Sequence, residues 1–512
     1  MPNSPETEFT KVKQASFLEA FQEAANRKPS YPVLVYEGRY FSYRSIDQMS
    51  SSLSEFLVSR GCEPGSRVGI LLPMSPQYLI SLLGVLKSGA IPVNFGSLKN
   101  SEYHSISTDQ RNDWLIIKSD SDIIPERGEK VITARIGDLM NFIKGIQTDG
   151  HHNNQPPGFV SRLIDIILEK PREKDHGKIQ GKEAIGFLSY GISGEPNVID
   201  FNGGALCERA LTALGRITGT GSVFRNASCI PPASPEGFIL SVLMPVMSTG
   251  YSIFPSSPDP GIRIFKIADT YNANFITLFP EIISKLKEIE YPNRDRIRGI
   301  ISTGLEFNSS LFSNIASRNN FRIFYFFGIP ELMGMTHCME LSSDSLGRLL
   351  PLDKGETKVE SESGVDSNPE GEKGPTVTGN NEESIMSGEF GIKASIDTDG
   401  SIGDIKVERD IAIIIGRHTS RCFIEKSAGT IPGVLEFVAD FKEITPGIRK
   451  IVFYCVKDDR RADEKRVISY LNGKLSQHNL PSEIIWKHDI PRSISGQVLR
   501  NLLIENSDRV NT

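Results

Sequence analysis

Apolar and polar positions divide the chain into alternating short β-type runs and amphipathic helical stretches. Residues 31–36 and 39–42 are β-type runs around Glu37-Gly38, and Ile46, Met49, Leu53 and Leu57, at three- and four-residue steps, predict a helix behind them. Residues 67–72 read as a buried strand, 77–87 as a helix with Leu79, Leu82, Leu83 and Leu86 on one face, and 90–93 as the start of the next strand. Strand, helix and strand in this order predict a layered α/β domain. The alternation resumes with a strand at 185–188, then strands at 275–278, 299–303 and 322–327 interleaved with helices at 281–288 and 309–317.

Between residues 354 and 389 this pattern fades. Apolar residues nearly vanish, and Glu356, Glu360, Glu362, Asp366, Glu370, Glu372, Glu382, Glu383 and Glu389 face only Lys354, Lys358 and Lys373, as in a solvated, mobile insertion. Residues 403–416 then read as a hairpin. A smaller unit follows, with a strand at 450–456, a helix at 462–472 and a strand at 483–486. The predicted organisation is a large α/β body over 1–416 and a small, mobile α+β lid over 417–512. No internal repeat interrupts it.

At 512 residues, with 38% hydrophobic and 23% charged residues, the chain is long enough for at least two domains and apolar enough for a sizeable core. The net charge of −6, without a basic block, excludes long-range attraction to nucleic acid. Cys62, Cys207, Cys229, Cys338, Cys422 and Cys455 are widely spaced, without Cys-x-x-Cys pairs or companion histidines at metal-ligand spacing, and read as buried free thiols of a reducing compartment. The polar, acidic start and the Pro, Lys and Gly interruptions of the most apolar stretches predict no leader and no membrane span, so a cytoplasmic location is expected.

Candidate chemistry begins at Ser189-Tyr-Gly191-Ile192-Ser193-Gly194-Glu-Pro196, directly after the strand at 185–188. Two glycines and two hydroxyls there can turn backbone N–H groups toward a phosphate, and small residues permit close approach. Taken alone, the same residues also describe an ordinary Gly/Pro surface turn. His151-His152 lies in a polar stretch with no third ligand near in sequence, and the nucleophile elbow of hydrolases is absent because its fifth-position glycine is missing.

Several motifs change the weight of that turn. Phe41-Ser-Tyr-Arg-Ser-Ile-Asp47, Gly65-Ser-Arg-Val-Gly-Ile-Leu-Leu-Pro-Met-Ser-Pro76 and Leu83-Gly-Val-Leu-Lys-Ser-Gly-Ala-Ile-Pro-Val93 resemble the N-terminal signature of the adenylate-forming superfamily of acyl-CoA synthetases, adenylation domains and luciferases. The resemblance runs from about Ser16 to Leu503. It implies an α/β body with a mobile lid and a reaction in two steps. A carboxylic acid attacks the α-phosphate of Mg-ATP, releasing pyrophosphate, and the acyl group then passes to a thiol of CoA or of a carrier protein's phosphopantetheine arm.

The resemblance also assigns residues. Ser189, Gly191, Ser193 and Gly194 match the phosphate loop, Gly304 in Ile301-Ser-Thr-Gly-Leu-Glu-Phe307 the adenine-facing turn, and Phe327 and Gly328 in Phe326-Phe-Gly-Ile-Pro-Glu331 the aromatic-Gly-x-Thr-Glu motif. It implies Glu331 as the Mg2+ ligand, Asp404 as the ribose carboxylate, Arg417 as a ribose or phosphate contact and Thr419 as the hinge. Pro491-Arg-Ser-Ile-Ser-Gly-Gln-Val-Leu-Arg500 resembles the loop that carries the catalytic lysine, with Gln497 at that position.

Departures from the family pattern gather on phosphate-contacting groups. Ile192 replaces a threonine, Asn197 a lysine, Pro330 a threonine and Gln497 the lysine, and Ser234 stands where many members carry a histidine beside the acyl site. Two functions follow from the resemblance: an AMP-forming acid–thiol ligase, or a non-catalytic nucleotide- or acyl-binding protein of the same fold that acts through protein partners.

Overall fold

The computed structural model describes residues 16–96, 98, 100–104, 106, 112–126, 128–144, 160–169, 171, 183–189, 197–218, 222–256, 263–279, 282–283, 296–304, 312, 315–317, 321–328, 333–342, 350–352, 377–378, 385–386, 392–396, 402–407, 411–414, 417–445, 448–458, 462–491 and 503. Among these, the strands form two large sheets, a three-stranded sheet and three short strand pairs. The expected mixed α/β class is observed.

The seven-stranded sheet runs Val160–Arg162, Lys130–Ala134, Trp114–Lys118, Arg67–Leu71, Ile91–Asn94, Ala184–Ser189 and Asn197–Asn202. Its neighbours are parallel except the last pair, which is antiparallel with Ser189 opposite Asn197. The nine-stranded sheet runs Leu350–Pro351, His337–Leu341, Ile323–Phe327, Gly299–Gly304, Phe275–Thr277, Arg225–Ser228, Tyr251–Phe254, Pro32–Tyr36 and Arg39–Ser42. Its central strands are parallel and its flanks antiparallel. Parallel strands covered on both faces read as unbroken apolar runs, and Ile323–Phe327 and Tyr251–Phe254 are buried at every position.

The N-terminal motifs prove to be packing devices. Ser75 caps helix Pro76–Lys87 by accepting a hydrogen bond from Tyr78 N, and Pro76 takes the first turn, where its missing N–H costs nothing. All residues of this helix are buried, the polar Gln77, Ser81 and Lys87 among them. It lies against helix Tyr43–Ser59 so closely that a Cβ on Gly84 would stand 2.7 Å from the Leu53 side chain. The buried Lys87 ammonium joins the two helices by donating to Asp47 Oδ1 (2.6 Å), Ser50 Oγ (2.8 Å) and Ser51 Oγ (3.0 Å). Gly89, at φ +80°, then turns the chain into the next strand.

A second long-range tie sits at the entrance to strand Ala184–Ser189. The buried Glu183 carboxylate accepts from Phe17 N (2.9 Å) and Leu18 N (3.1 Å), capping helix Phe17–Arg27 from across the chain. Burial raises the Glu183 pKa, opposed by those hydrogen bonds.

Core residues separate along the sequence. The clusters around the two large sheets contain residues up to Leu352, while those around Val434–Thr445, Ile448–Lys457 and Glu483–Lys487 begin at Ile424. In this later part Arg421 and Asp440 form a buried ion pair, with the guanidinium 5.3 Å from the Phe441 ring centroid.

One sequence expectation is corrected here. Residues 403–416 are not one hairpin: Ile402–Val407 pairs backward with Ile392–Ile396, and Ile411–Ile414 pairs forward with Arg417–Ser420. Two short antiparallel pairs thus replace one. Within the acidic stretch, Val377–Thr378 pairs with Ile385–Met386, and the rest of 354–389 lies outside the described residues. Cys62, Cys207, Cys229, Cys338 and Cys455 are buried thiols outside any disulfide, and burial pushes the Cys338 and Cys455 thiols up to about 12. Among the described residues no helix is long and apolar enough to cross a membrane.

Candidate active site

The carboxyl ends of parallel strands are where open α/β sheets bind ligands, because no crossover chain covers them. At that edge of the nine-stranded sheet, Gly304 and Phe327 end neighbouring strands and are direct register partners. Gly328 follows Phe327 and lies against returning backbone: a Cβ there would stand 2.5 Å from both Gly334 C and Met335 N. Thr336 N (2.7 Å) and Thr336 Oγ1 (3.1 Å) both donate to Phe327 O, closing the base of the loop whose sequence contains Glu331. Met333 and Gly334 hold φ of +60° and +69° on the return, and a non-glycine residue at positive φ stores strain of the kind found at functional sites.

The segment after strand Arg225–Ser228 reaches the same edge. Ser234 caps helix Pro235–Phe238 by accepting from Gly237 N at 3.2 Å. The buried Glu236 side chain packs on Gly334, where a Cβ would stand 2.2 Å from Oε2. A π-helical turn, Ile239–Leu243, continues into helix Met244–Met247, which carries Pro245. Asn226 Nδ2 donates to Leu240 O (3.0 Å), and Ser228 and Ser241 hydroxyls meet at 2.7 Å, so polar contacts inside an apolar core fix this helical run on its strand.

The sequence-derived residues divide as follows. Gly304, Phe327 and Gly328 are brought together. Ser189 ends its own strand in the other large sheet and is buried. Asp404 lies within Ile402–Val407 and Arg417 opens Arg417–Ser420. Thr419 is fully buried, and its hydroxyl has no partner among the described residues. Gly191, Ile192, Ser193, Gly194, Pro330, Glu331, Gln497 and the His151-His152 pair lie outside the described residues. Asn197, at the foot of the strand paired with Ser189, is exposed.

Phe327 has no exposed surface, and its ring meets His337 edge to face at 6.2 Å between centroids. Its side chain therefore behaves as core that ends a strand.

Sequence reasoning missed three participants. Tyr78 lies in a predominantly apolar helix, yet its hydroxyl lies 2.9 Å from Asn94 Oδ1 and 3.1 Å from Pro232 O. Asn94, a buried amide ending a strand, was the available signal. Glu236 and His337 are the others, and a carboxylate amid apolar residues could have marked Glu236.

Residues 21–174 match the family model described as AMP-binding enzyme. Over 98% of this chain and 96% of the relative, the sequence is 21% identical to a long-chain-fatty-acid–CoA ligase of Salmonella typhimurium. The fold is similar to that of an o-succinylbenzoate CoA synthetase double mutant from Bacillus subtilis bound with its product analogue, with a TM-score of 0.70 and 17% identity over 95% of this chain and 98% of that one. It is also similar to an anthranilate CoA ligase in complex with anthranoyl-AMP, with a TM-score of 0.61 and 16% identity over 98% and 99% of the two chains. Together with the motifs that shape the helix pair and the strand-end loop, these likenesses relate residues 21–174 to AMP-binding enzymes and give the chain the fold of the two CoA ligases.

Proposed function

We propose that the protein is an AMP-forming acid–thiol ligase. A carboxylate oxygen of the acid bonds to the α-phosphorus of ATP as the bond from that phosphorus to the bridging oxygen breaks. Pyrophosphate leaves. The thiol of CoA or of a carrier protein's phosphopantetheine then attacks the acyl carbon, loses its proton and displaces AMP, giving a thioester.

The observation that carries this reading is the strand-end arrangement of Gly304, Phe327 and Gly328, closed by Thr336 and backed by the Ile230–Gly237 segment. A nucleotide fits such an edge, because small residues let a ligand approach backbone and a hydroxyl at Ser189 ends the strand feeding the glycine-rich turn. Under this reading Ser189, Gly191, Ser193 and Gly194 hold phosphates, Gly304 and Gly328 border adenine with Phe327 as the buried floor between them, and Asp404 and Arg417 meet ribose and phosphate. Glu331 holds Mg2+, which would supply positive charge where the phosphoryl oxygens gain negative charge. Gln497 offers the α-phosphate an amide donor without the cation. The division at 416 into body and lid is part of the same proposal, and the sequence separation of the cores supports it.

A rival reading is favoured by one group of residues. Ile192, Asn197, Pro330 and Gln497 each remove a charge or hydroxyl donor expected at phosphate, and loss of a single such donor commonly slows a reaction on the order of 10²–10³-fold. A nucleotide- or acyl-binding protein without turnover would keep the fold and lose these groups. Pyrophosphate release is to be measured across a panel of aliphatic, aromatic and amino-substituted acids, with and without CoA. Acid-dependent release supports the ligase. ATP binding without release for any acid rejects it in favour of the rival.

A further inference from the structure

Two segments that border the candidate site belong to different sheets, and one phenol joins them. Tyr78 sits in the buried helix Pro76–Lys87, and its hydroxyl is 2.9 Å from Asn94 Oδ1 and 3.1 Å from Pro232 O. Asn94 ends its strand in the seven-stranded sheet, and its Nδ2 donates to Gly186 O at 3.3 Å. Gly186 lies on the strand that ends at Ser189, whereas Pro232 lies in the segment that follows strand Arg225–Ser228 of the nine-stranded sheet. Tyr78, Asn94 and the strand around Gly186 are all buried, so this chain of hydrogen bonds is shielded from competing water. Nearby, Phe187 and Phe238 bring the same two segments into ring contact at 5.6 Å. Apolar contact supplies adhesion but tolerates sliding. A hydrogen bond to a fixed carbonyl does not.

We propose that Tyr78 is a positioning residue whose hydroxyl, shared between Asn94 and Pro232, fixes the placement of the Ile230–Gly237 segment against the strand that ends at Ser189. Tyr78 touches neither reactant. It acts through Pro232, whose segment carries Ser234 and the Glu236 side chain packed on Gly334, beside the Gly328 turn. The kinetic part of this proposal rests on the acid-activating reading above. The structural part does not.

Tyr78→Phe keeps the ring and removes only the hydroxyl, leaving Pro232 O buried without its donor. In the full-length protein, amide hydrogen exchange of residues 184–189 and 230–238 is expected to quicken about tenfold, while residues 79–87 of the helix bearing Tyr78 stay as they were. With an accepted acid, its KM is expected to rise about tenfold and that of ATP by less than about twofold. Asn94→Ala, which removes both the acceptor and the donor to Gly186 O, is expected to give the same signature. Phe187→Leu, which thins the neighbouring packing without touching the hydroxyl, is expected to lower stability and leave the ratio of the two KM values unchanged.

Exchange that is unchanged, confined to the Tyr78 helix or raised evenly along the chain would overturn the tie. An unaltered acid KM in an active enzyme would overturn the positioning role while leaving the ligase reading intact. If no acid supports pyrophosphate release in the unsubstituted protein, the ligase reading fails, and the exchange experiment alone decides the tie.

Discussion

At the scale of single residues, the chemistry turns on what replaced a few cations and hydroxyls. Gln497 stands where a lysine would meet the α-phosphate in the proposed reaction. Gln497→Lys is therefore expected to raise acid-dependent pyrophosphate release by up to about 10²–10³-fold, read in a steady-state assay. No gain would count against the placement of that loop. Such positions are legible in sequence because motif neighbours bracket them, as Gly328 and Glu331 bracket Pro330. Tyr78 was illegible for the opposite reason. Its ring satisfies the apolar pattern of its helix, and the partners of its hydroxyl are 16 and 154 residues away. Phe327 marks a third case, since a strand-ending aromatic has the same sequence appearance whether it faces a ligand or, as observed, is enclosed by the core.

At the scale of elements, close approach and capping explain what the motifs alone could not. Gly84→Val would push a branched side chain into Leu53 and is expected to lower stability by about 1–3 kcal/mol in denaturant titrations, without altering ligand contacts. Glu183 links the first helix to the strand ending at Ser189, and its raised pKa sets the sign of a pH effect. A carboxyl whose pKa is higher in the folded state binds more protons there. Its stabilising contribution is complete below the unfolded pKa and is lost as pH rises through the folded one. The unsubstituted protein is therefore expected to lose stability as pH rises from the ordinary glutamate range, and Glu183→Gln to flatten the slope when melting temperature is followed against pH. Strands and helices in the first half were readable from periodicity, because buried parallel strands are continuously apolar. The region around 403–416 misled because isoleucine-rich runs there lie close together, and sequence proximity alone does not say which neighbour each run pairs with.

At the scale of the whole molecule, the α/β class could be read from alternation, but strand order could not. Pro32–Tyr36 joins Tyr251–Phe254 across more than two hundred positions, and nothing local specifies that choice. The proposed body-and-lid organisation leads to an expectation for heating. With cores that share no residues on either side of the Leu352–Ile424 interval, calorimetry is expected to resolve two transitions, of which ATP raises the one belonging to the larger part. A single transition would show that the two cores unfold as one unit. The pairing of Ser189 with Asn197 has a consequence of its own. Residues 190–196 are tethered at both ends to facing rungs of one ladder, and a leash of that length reaches no more than roughly 14 Å from its posts. Under the proposed reading this length acts as a ruler: a triphosphate held by its backbone would lie within about that radius of Ser189 and Asn197, and any longer stroke in the working cycle would fall to some other part of the chain.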